Sequence, residues 1–116
     1  MQGMVTNAVG NTPWTKAVLM RSFWQRLVGL IPRRGISHYE AYWFPQCQHI
    51  HTYGMRFPLD VIALDEHDRI CAVVRNLQPN QRLHIASASS LIEIAAGCRY
   101  PLEQWRGEPL YFKSQS

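Results

Sequence analysis

The clearest β-hairpin signal in the chain lies at residues 60–74, which read DVIALDEHDRICAVV. Two aliphatic runs, Asp60–Leu64 and Ile70–Val74, flank the charged connection Asp65–Arg69. Short apolar runs rich in β-branched residues and bounded by turn residues are typical of strands. The pattern therefore predicts two antiparallel strands joined by a tight turn.

Further short strands are predicted on both sides of this hairpin. Ala41–Phe44 is aromatic-rich and is stopped by Pro45, and the alternation from Cys47 to Tyr53 is typical of an extended strand. Additional candidates are residues 18–20, 83–85, 91–94 and 110–112. Short strands at even spacing are typical of sandwiches and barrels.

One helix is predicted between the strand candidate at residues 18–20 and the remaining strands. Ser22 and Gln25 match a capping box, apolar residues follow at helical spacing, and Pro32 ends the pattern. The fold class predicted is therefore mainly β: a compact sandwich, jelly-roll-like or barrel-like domain with one short helix packed on it.

Composition limits the classes of protein. The chain has 116 residues, 47% hydrophobic and 17% charged, which fits one domain and excludes disordered, collagen-like and coiled-coil chains. No apolar run approaches the roughly 18 residues of a membrane-spanning helix. Residues 1–17 show no sustained period and are predicted to be a flexible arm before a single domain at 18–113.

Charge and cysteine content indicate the cell compartment and the partners. The first 39 residues contain five basic residues and no acidic one. These basic residues form no dense patch and no known nucleic-acid motif, so a nucleic-acid partner is disfavoured. The three cysteines, Cys47, Cys71 and Cys98, are odd in number and widely spaced. With no secretory signal at the start, they indicate reduced thiols in the cytoplasm.

The segment His51–Asp60, HTYGMRFPLD, carries a family resemblance. Its Met55, Pro58 and Asp60, followed by a hydrophobic strand and an acidic turn, resemble the signature of the bacterial domain of unknown function 192, in its short Gram-negative subtype. Four further segments resemble that family in order: residues 26–30, 77–79, 91–97 and 107–109, although Ala95 stands where the family usually has proline. The resemblance covers residues 18–112. It implies a compact β domain with a helix, brings no established reaction, and loosely links the chain to bacterial envelope, pilus or secretion systems.

The sequence predicts a small-ligand site around the family motif. Aromatic faces beside planar polar groups suit sugars and other polar rings. Asp60 alternatively has a structural role at the start of its strand, and Glu93 is either paired inside, with Arg56 or Arg75, or solvated outside. The candidate ligand-binding residues are His51, Met55, Arg56, Asp60 and Glu93, with Trp43 and Tyr53 as walls.

A second hypothesis is a metal site. Cys47, His49 and His51 alternate along one strand, and thiolate and imidazole are ligands for zinc or copper. Alternate residues of a straight strand lie too far apart to share an ion, so the strand would have to bend. The alternative is a strand face whose histidines bond to backbone or to Asp60.

A third hypothesis is an enzyme in which Cys47 and His51 form a nucleophilic pair oriented by Asp60, but no oxyanion hole is marked. We assign no catalytic residue and favour a non-enzymatic module that binds a small ligand, such as a carbohydrate, or a protein. Ligand identity and oligomeric state do not follow from the sequence.

Overall fold

The computed structural model describes residues 1–21 and 33–115. Its strands are β1 (Gln2–Asn7), β2 (Trp14–Leu19), β3 (Glu40–Pro45), β4 (His49–His51), β5 (Leu59–Leu64), β6 (Ile70–Leu77), β7 (Arg82–His84), β8 (Ser90–Ala95) and β9 (Leu110–Ser114). Within these ranges the helical structure is a 3-10 helix, Leu102–Trp105. The predicted compact, mainly β class is confirmed.

Seven strands form one mixed sheet in the order β6-β5-β8-β3-β2-β1-β9, and β4 pairs with β7 in a separate ribbon. Neighbours in the large sheet are antiparallel except β2 and β3, which are parallel. The two ends of the strand order meet, because an isolated bridge joins Arg69 to Pro109 and Ile70 N donates to Glu108 O at 2.9 Å. The sheet is therefore curled toward a barrel.

Both faces of the sheet are buried at its centre. Every residue of β5 and of β8 is buried, which explains why these strands read as nearly continuous apolar runs. Two hydrophobic clusters result, one on each face. The first includes Trp14, Trp43, Ile62, Ile92 and Ile94, and the second includes Tyr42, Phe44, Val61 and Leu91.

The predicted hairpin at residues 60–74 is confirmed as β5 and β6. Asp65 fixes the turn, because its Oδ1 accepts hydrogen bonds from His67 N at 2.8 Å and Arg69 N at 3.0 Å. These bonds lower the pKa of the Asp65 carboxyl, the bond from Arg69 contributing most. Asp68 takes a left-handed conformation with φ 59, which an aspartate in a turn tolerates.

The predicted flexible arm is wrong. Residues 2–7 and 14–19 are strands β1 and β2, and Val5, Trp14 and Ala17 are buried in the first cluster. β1 lies between β2 and β9, which comes from the far end of the chain, so its main pairing partner was not visible in the local sequence. The helix predicted from Ser22 to Ile31 lies outside the described residues.

Candidate ligand-binding site

The structure does not bring the predicted ligand-binding residues into one pocket. Asp60 is in register with Ile94, whereas Glu93 is in register with Val61. Because successive residues of a strand point to opposite faces, the Asp60 and Glu93 carboxyls lie on opposite faces of the sheet. A ligand cannot contact both.

Asp60 is the centre of a structural network. Its carboxylate, only 1% exposed, accepts hydrogen bonds from Arg75 Nη1 at 2.8 Å, Asn76 N at 2.8 Å and Cys98 N at 3.1 Å. Arg75 continues the network to the Glu103 carboxylate at 2.7 Å and to the carbonyls of Cys98 and Tyr100. The structural alternative for Asp60 therefore fits the geometry, since its oxygens are occupied by protein donors.

The Arg75–Glu103 contact changes the pKa of both partners. The hydrogen bond from Arg75 lowers the pKa of Glu103 to about 2. The same contact, followed by the bond to Asp60, raises the pKa of Arg75 despite its partial burial. The ion pair connects β6 to the 3-10 helix.

Glu93 is buried, and no residue that the structure describes forms an ion pair with it. It lies between Tyr42 and Val61 on the second-cluster face, and its Oε2 has no hydrogen-bond partner among the described residues. Neither Arg56 nor Arg75 pairs with it; Arg75 is engaged with Asp60 and Glu103. Burial raises the pKa of the Glu93 carboxyl to about 8, so the side chain is largely uncharged at neutral pH.

Three other predicted site residues have different surroundings. Trp43 packs in the first cluster, edge-on to Phe112 with ring centroids 6.2 Å apart, and Met55 is buried in the second. Arg56 is exposed. Trp43 and Met55 thus belong to the hydrophobic core, and neither forms a wall of a surface site.

The two remaining predicted residues, His51 and Tyr53, lie on one exposed surface of the β4–β7 ribbon. We call this surface the ribbon face and define it by His49, His51, Tyr53, Arg82 and His84. It borders a concavity of about 600 Å³. The apolar side chains at the ribbon's central register pair, Ile50 and Leu83, pack against the second cluster and leave the polar rings outside.

The ribbon face is built from stacked rings and a guanidinium. His51 and Tyr53 stack with centroids 5.1 Å apart, and His49 and His84 stack at 4.0 Å with an interplanar angle of 8°. Arg82 donates from Nε to the Tyr53 hydroxyl at 2.9 Å, and its Cζ lies 5.7 Å from the centre of that ring. This bond uses one of the five N–H groups of the guanidinium.

Hydrogen bonds at both ends of the ribbon fix the position of the ribbon face. Thr52, fully buried, donates from Oγ1 to Gln78 O at 2.6 Å and accepts from Gln81 N at 2.9 Å. Gln48 Nε2 bonds to the carbonyls of Ala86 and Ala88 at 3.0 Å. These contacts hold β4 and β7 together on either side of the ring stacks.

The predicted metal ligands do not converge. Among residues 1–21 and 33–115, no three His, Cys, Asp or Glu side chains are grouped so that they could hold a metal ion. Cys47 Sγ donates to His49 O at 3.0 Å, His49 stacks on His84, and His51 stacks on Tyr53. Nitrogen lone pairs lie in the ring planes, so stacked imidazoles do not aim at one ion.

The proposed Cys47–His51 nucleophilic pair has no support in this geometry. The Cys47 thiol is bonded to a backbone carbonyl, and the Asp60 carboxylate that was to orient His51 is bonded to Arg75. A thiolate–imidazole pair needs direct contact between thiol and ring.

Sequence reasoning missed Arg82 and His84 as site residues, and it named Arg75 as a possible partner of Glu93 whereas the structure pairs it with Asp60. The predicted strand covered residues 83–85, whereas the observed strand begins one residue earlier, so that Arg82 and His84 alternate about Leu83 and share one face. What the sequence could not show was that this strand pairs with β4, thirty-odd residues earlier, with His49 opposite His84 and His51 opposite Arg82.

Fold and site together define a small, mainly β domain with a ring-lined surface site. The chain belongs to the domain of unknown function 192 family (DUF192), described as "Uncharacterized ACR", whose sequence profile matches residues 4–107. The family resemblance of the motif at residues 51–60 is thus confirmed. No curated protein matches the sequence.

Two solved structures share the fold. One is described as a "putative transcription regulator" from Sinorhizobium meliloti; it is 20% identical, covers 97% of this chain and 94% of its own, and gives a TM-score of 0.81. The other is a protein of unknown function from Novosphingobium aromaticivorans, 21% identical over 96% of this chain and 84% of its own, with a TM-score of 0.76. At these identities the likeness shows the fold alone.

The described ranges also bear on membrane association. Across residues 1–21 and 33–115, no helix is both long enough and apolar enough to span a bilayer.

Proposed function

We propose that the protein is a non-enzymatic small-ligand binding module and that its ligand is a sugar phosphate bound on the ribbon face. One observation carries the proposal. Exposed rings, imidazoles and a guanidinium line the concavity beside β4 and β7, and none of its described lining residues carries a carboxylate.

The ring pair supplies the sugar-binding part of this surface. Tyr53 is 43% exposed, and His51 stacked at 5.1 Å holds its ring in place. A flat aromatic face packs well against the C–H face of a sugar, and preorganised rings lose little entropy when a ligand binds. The hydroxyl of Tyr53 is already bonded to Arg82, so its orientation is also fixed.

The cationic part suits a phosphate. Among the described residues, none accepts a hydrogen bond from the Arg82 Nη groups, and planar guanidinium donors match the geometry of phosphate oxygens. The neighbouring imidazoles add further N–H donors. A neutral sugar alone would leave these groups without an anionic partner, which is why the phosphorylated form is favoured.

The test is a titration followed by amide NMR shifts with three probes: glucose 6-phosphate, glucose and inorganic phosphate. We expect saturable shifts at Tyr53 and at β7 with glucose 6-phosphate, and weaker ones with the other two probes. Arg82→Gln should weaken binding about tenfold, because a charge-assisted hydrogen bond is lost. Arg106→Gln is the matched control, since Arg106 is exposed and lies outside the ribbon face. Shifts absent from the ribbon, or unchanged affinity in Arg82→Gln, would contradict the proposal.

Location and cellular context belong to the same proposal. The three free, half-buried cysteines support a reducing compartment such as the cytoplasm. A role beside bacterial envelope, pilus or secretion systems rests on the family resemblance alone.

A further inference from the structure

A second concavity, separate from the ribbon face, lies where residues 98–100 approach residues 38–39. Its volume is about 450 Å³, and it is lined by Pro13, His38, Tyr39, Cys98, Arg99 and Tyr100. This volume is within the range of small-molecule sites. We call it the tyrosine cleft.

Two tyrosines and two cationic or ionisable groups give the cleft its chemistry. Tyr39 is 51% exposed and Tyr100 is 39% exposed, so both present ring surface to a ligand. Neither the Arg99 guanidinium nor the His38 imidazole forms a hydrogen bond or an ion pair with any described residue. None of the six lining residues is acidic.

The Tyr100 side of the cleft is held rigidly. The Tyr100 ring contacts buried Trp14 at 5.8 Å and Trp105 at 5.5 Å between centroids. Its backbone carbonyl accepts from Arg75 Nη2 at 3.0 Å, and the Asp60 carboxylate accepts from Cys98 N. The buried aspartate of the family motif thus fixes the backbone of this wall without itself reaching the cleft.

The Tyr39 side is held by a second buried carboxylate. Glu40, 3% exposed, accepts from Ser37 N at 3.0 Å and from Arg33 Nη2 at 3.2 Å, and Tyr39 O accepts from Lys16 N at 3.1 Å. Both walls are therefore tied to the sheet, the Tyr100 wall through the bonds to Asp60 and Arg75 and the Tyr39 wall through a backbone bond to β2 beside the buried Glu40 carboxylate. A preorganised site of this kind loses less entropy on binding than a loop that must first order itself.

We infer that the tyrosine cleft binds a nucleoside monophosphate, with the base against the tyrosine rings and the phosphate at Arg99 and His38. Exposed tyrosines stack with any flat heteroaromatic ring. Arginine recognises phosphate through paired N–H donors. The absence of an acidic lining residue leaves nothing in the described cleft to repel the anion. The inference is independent of the sugar-phosphate proposal, because the two surfaces share no residue.

The experiment is an amide NMR titration of the full chain with adenosine 5′-monophosphate, adenosine and inorganic phosphate. We expect the monophosphate to shift the amides of Cys98, Arg99, Tyr100 and Tyr39 saturably and to bind more tightly than either fragment. Arg99→Gln should weaken the binding about tenfold, as expected for a lost charge-assisted contact. Arg106→Gln, another exposed arginine, should bind like the wild type.

Four outcomes would overturn the inference. The cleft amides do not shift at millimolar monophosphate, or phosphate alone binds as tightly as the nucleotide, or Arg99→Gln and Tyr39→Leu both retain wild-type affinity. Arg99 and Tyr39 are exposed, so both variants should fold, and their dispersed spectra verify it. Shifts confined to Tyr53 and β7 would assign the nucleotide to the ribbon face and also overturn this inference.

Discussion

The buried Glu93 carboxyl should make the stability of the fold depend on pH between its unfolded and folded pKa values. Its pKa rises from 4.5 to about 8 because burial disfavours the charged form. The titratable neighbour in register with it is Tyr42, whose pKa is raised above 10.0, chiefly by burial. Tyr42 therefore does not titrate in the same range.

The sign and size of this pH dependence follow from the linkage between protonation and folding. Between pH 4.5 and about 8 the folded state holds the Glu93 proton more tightly than the unfolded state does, so the free energy of unfolding falls as pH rises. The shift of roughly 3.5 units, at about 1.4 kcal/mol per unit, amounts to about 5 kcal/mol in total. About 3 kcal/mol of this is already lost near neutral pH.

The perturbation is Glu93→Gln, which removes the titration and keeps the shape of the side chain. Urea unfolding of both proteins at a series of pH values gives the difference in their free energies of unfolding. Because other groups titrate equally in both proteins, this difference isolates Glu93. We expect it to change by about 4 kcal/mol in favour of the variant between about pH 5 and about pH 8.5.

The constant cost of burying the glutamine amide shifts this difference by the same amount at every pH and leaves its slope unchanged. Glu108→Gln is the matched control, because Glu108 is exposed and its substitution should give a flat difference. A difference for Glu93→Gln that stays flat within about 1 kcal/mol would refute the reasoning, since it would mean that Glu93 is charged or solvated in the folded state.

Three further predictions concern the fold and the metal hypothesis. Asp60→Asn should lower the free energy of unfolding by about 2 to 3 kcal/mol in urea, because Arg75 loses a buried charged acceptor; a loss no larger than that of an exposed substitution would contradict the structural role. Gly3→Ala should cost about 1 to 3 kcal/mol, because the added Cβ would collide with the carbonyl of Lys113 on β9. The control Gly35→Ala meets open space and should be nearly neutral. A chelator should leave the Tm of untagged protein unchanged, because the described Cys and His side chains do not converge; a lowered Tm would restore the metal hypothesis.

Local patterns predicted the strands well because each strand signal is carried within a few residues. The aliphatic runs of β5 and β6 and their charged turn appear in the structure as predicted. Residues 1–17 were mispredicted because β1 depends on β9, from the opposite end of the chain. Gly, Asn and Pro in this region gave a loop-like composition that long-range pairing overrides.

The site was harder to predict than the fold. The motif drew attention to Asp60 and Glu93, yet strand register places them on opposite faces, and register is a property of pairing rather than of one segment. His51 and Tyr53 were correctly placed together on one surface. Their partners Arg82 and His84 emerge only once β4 is seen to pair with β7.

The bridge between Arg69 and Pro109 has a consequence for the kind of partner this protein can accept. Free strand edges are templates onto which a peptide or a second sheet can add by backbone hydrogen bonding. Here β6 and β9, the two edge strands of the large sheet, are joined by a backbone bridge immediately before each strand begins. An extended peptide that added there would first have to break this bridge, and Pro109 has no N–H group to donate to it. Strand addition at this bridge is therefore disfavoured, whereas the ligands proposed for the ribbon face and the tyrosine cleft would contact side chains and leave the bridge intact.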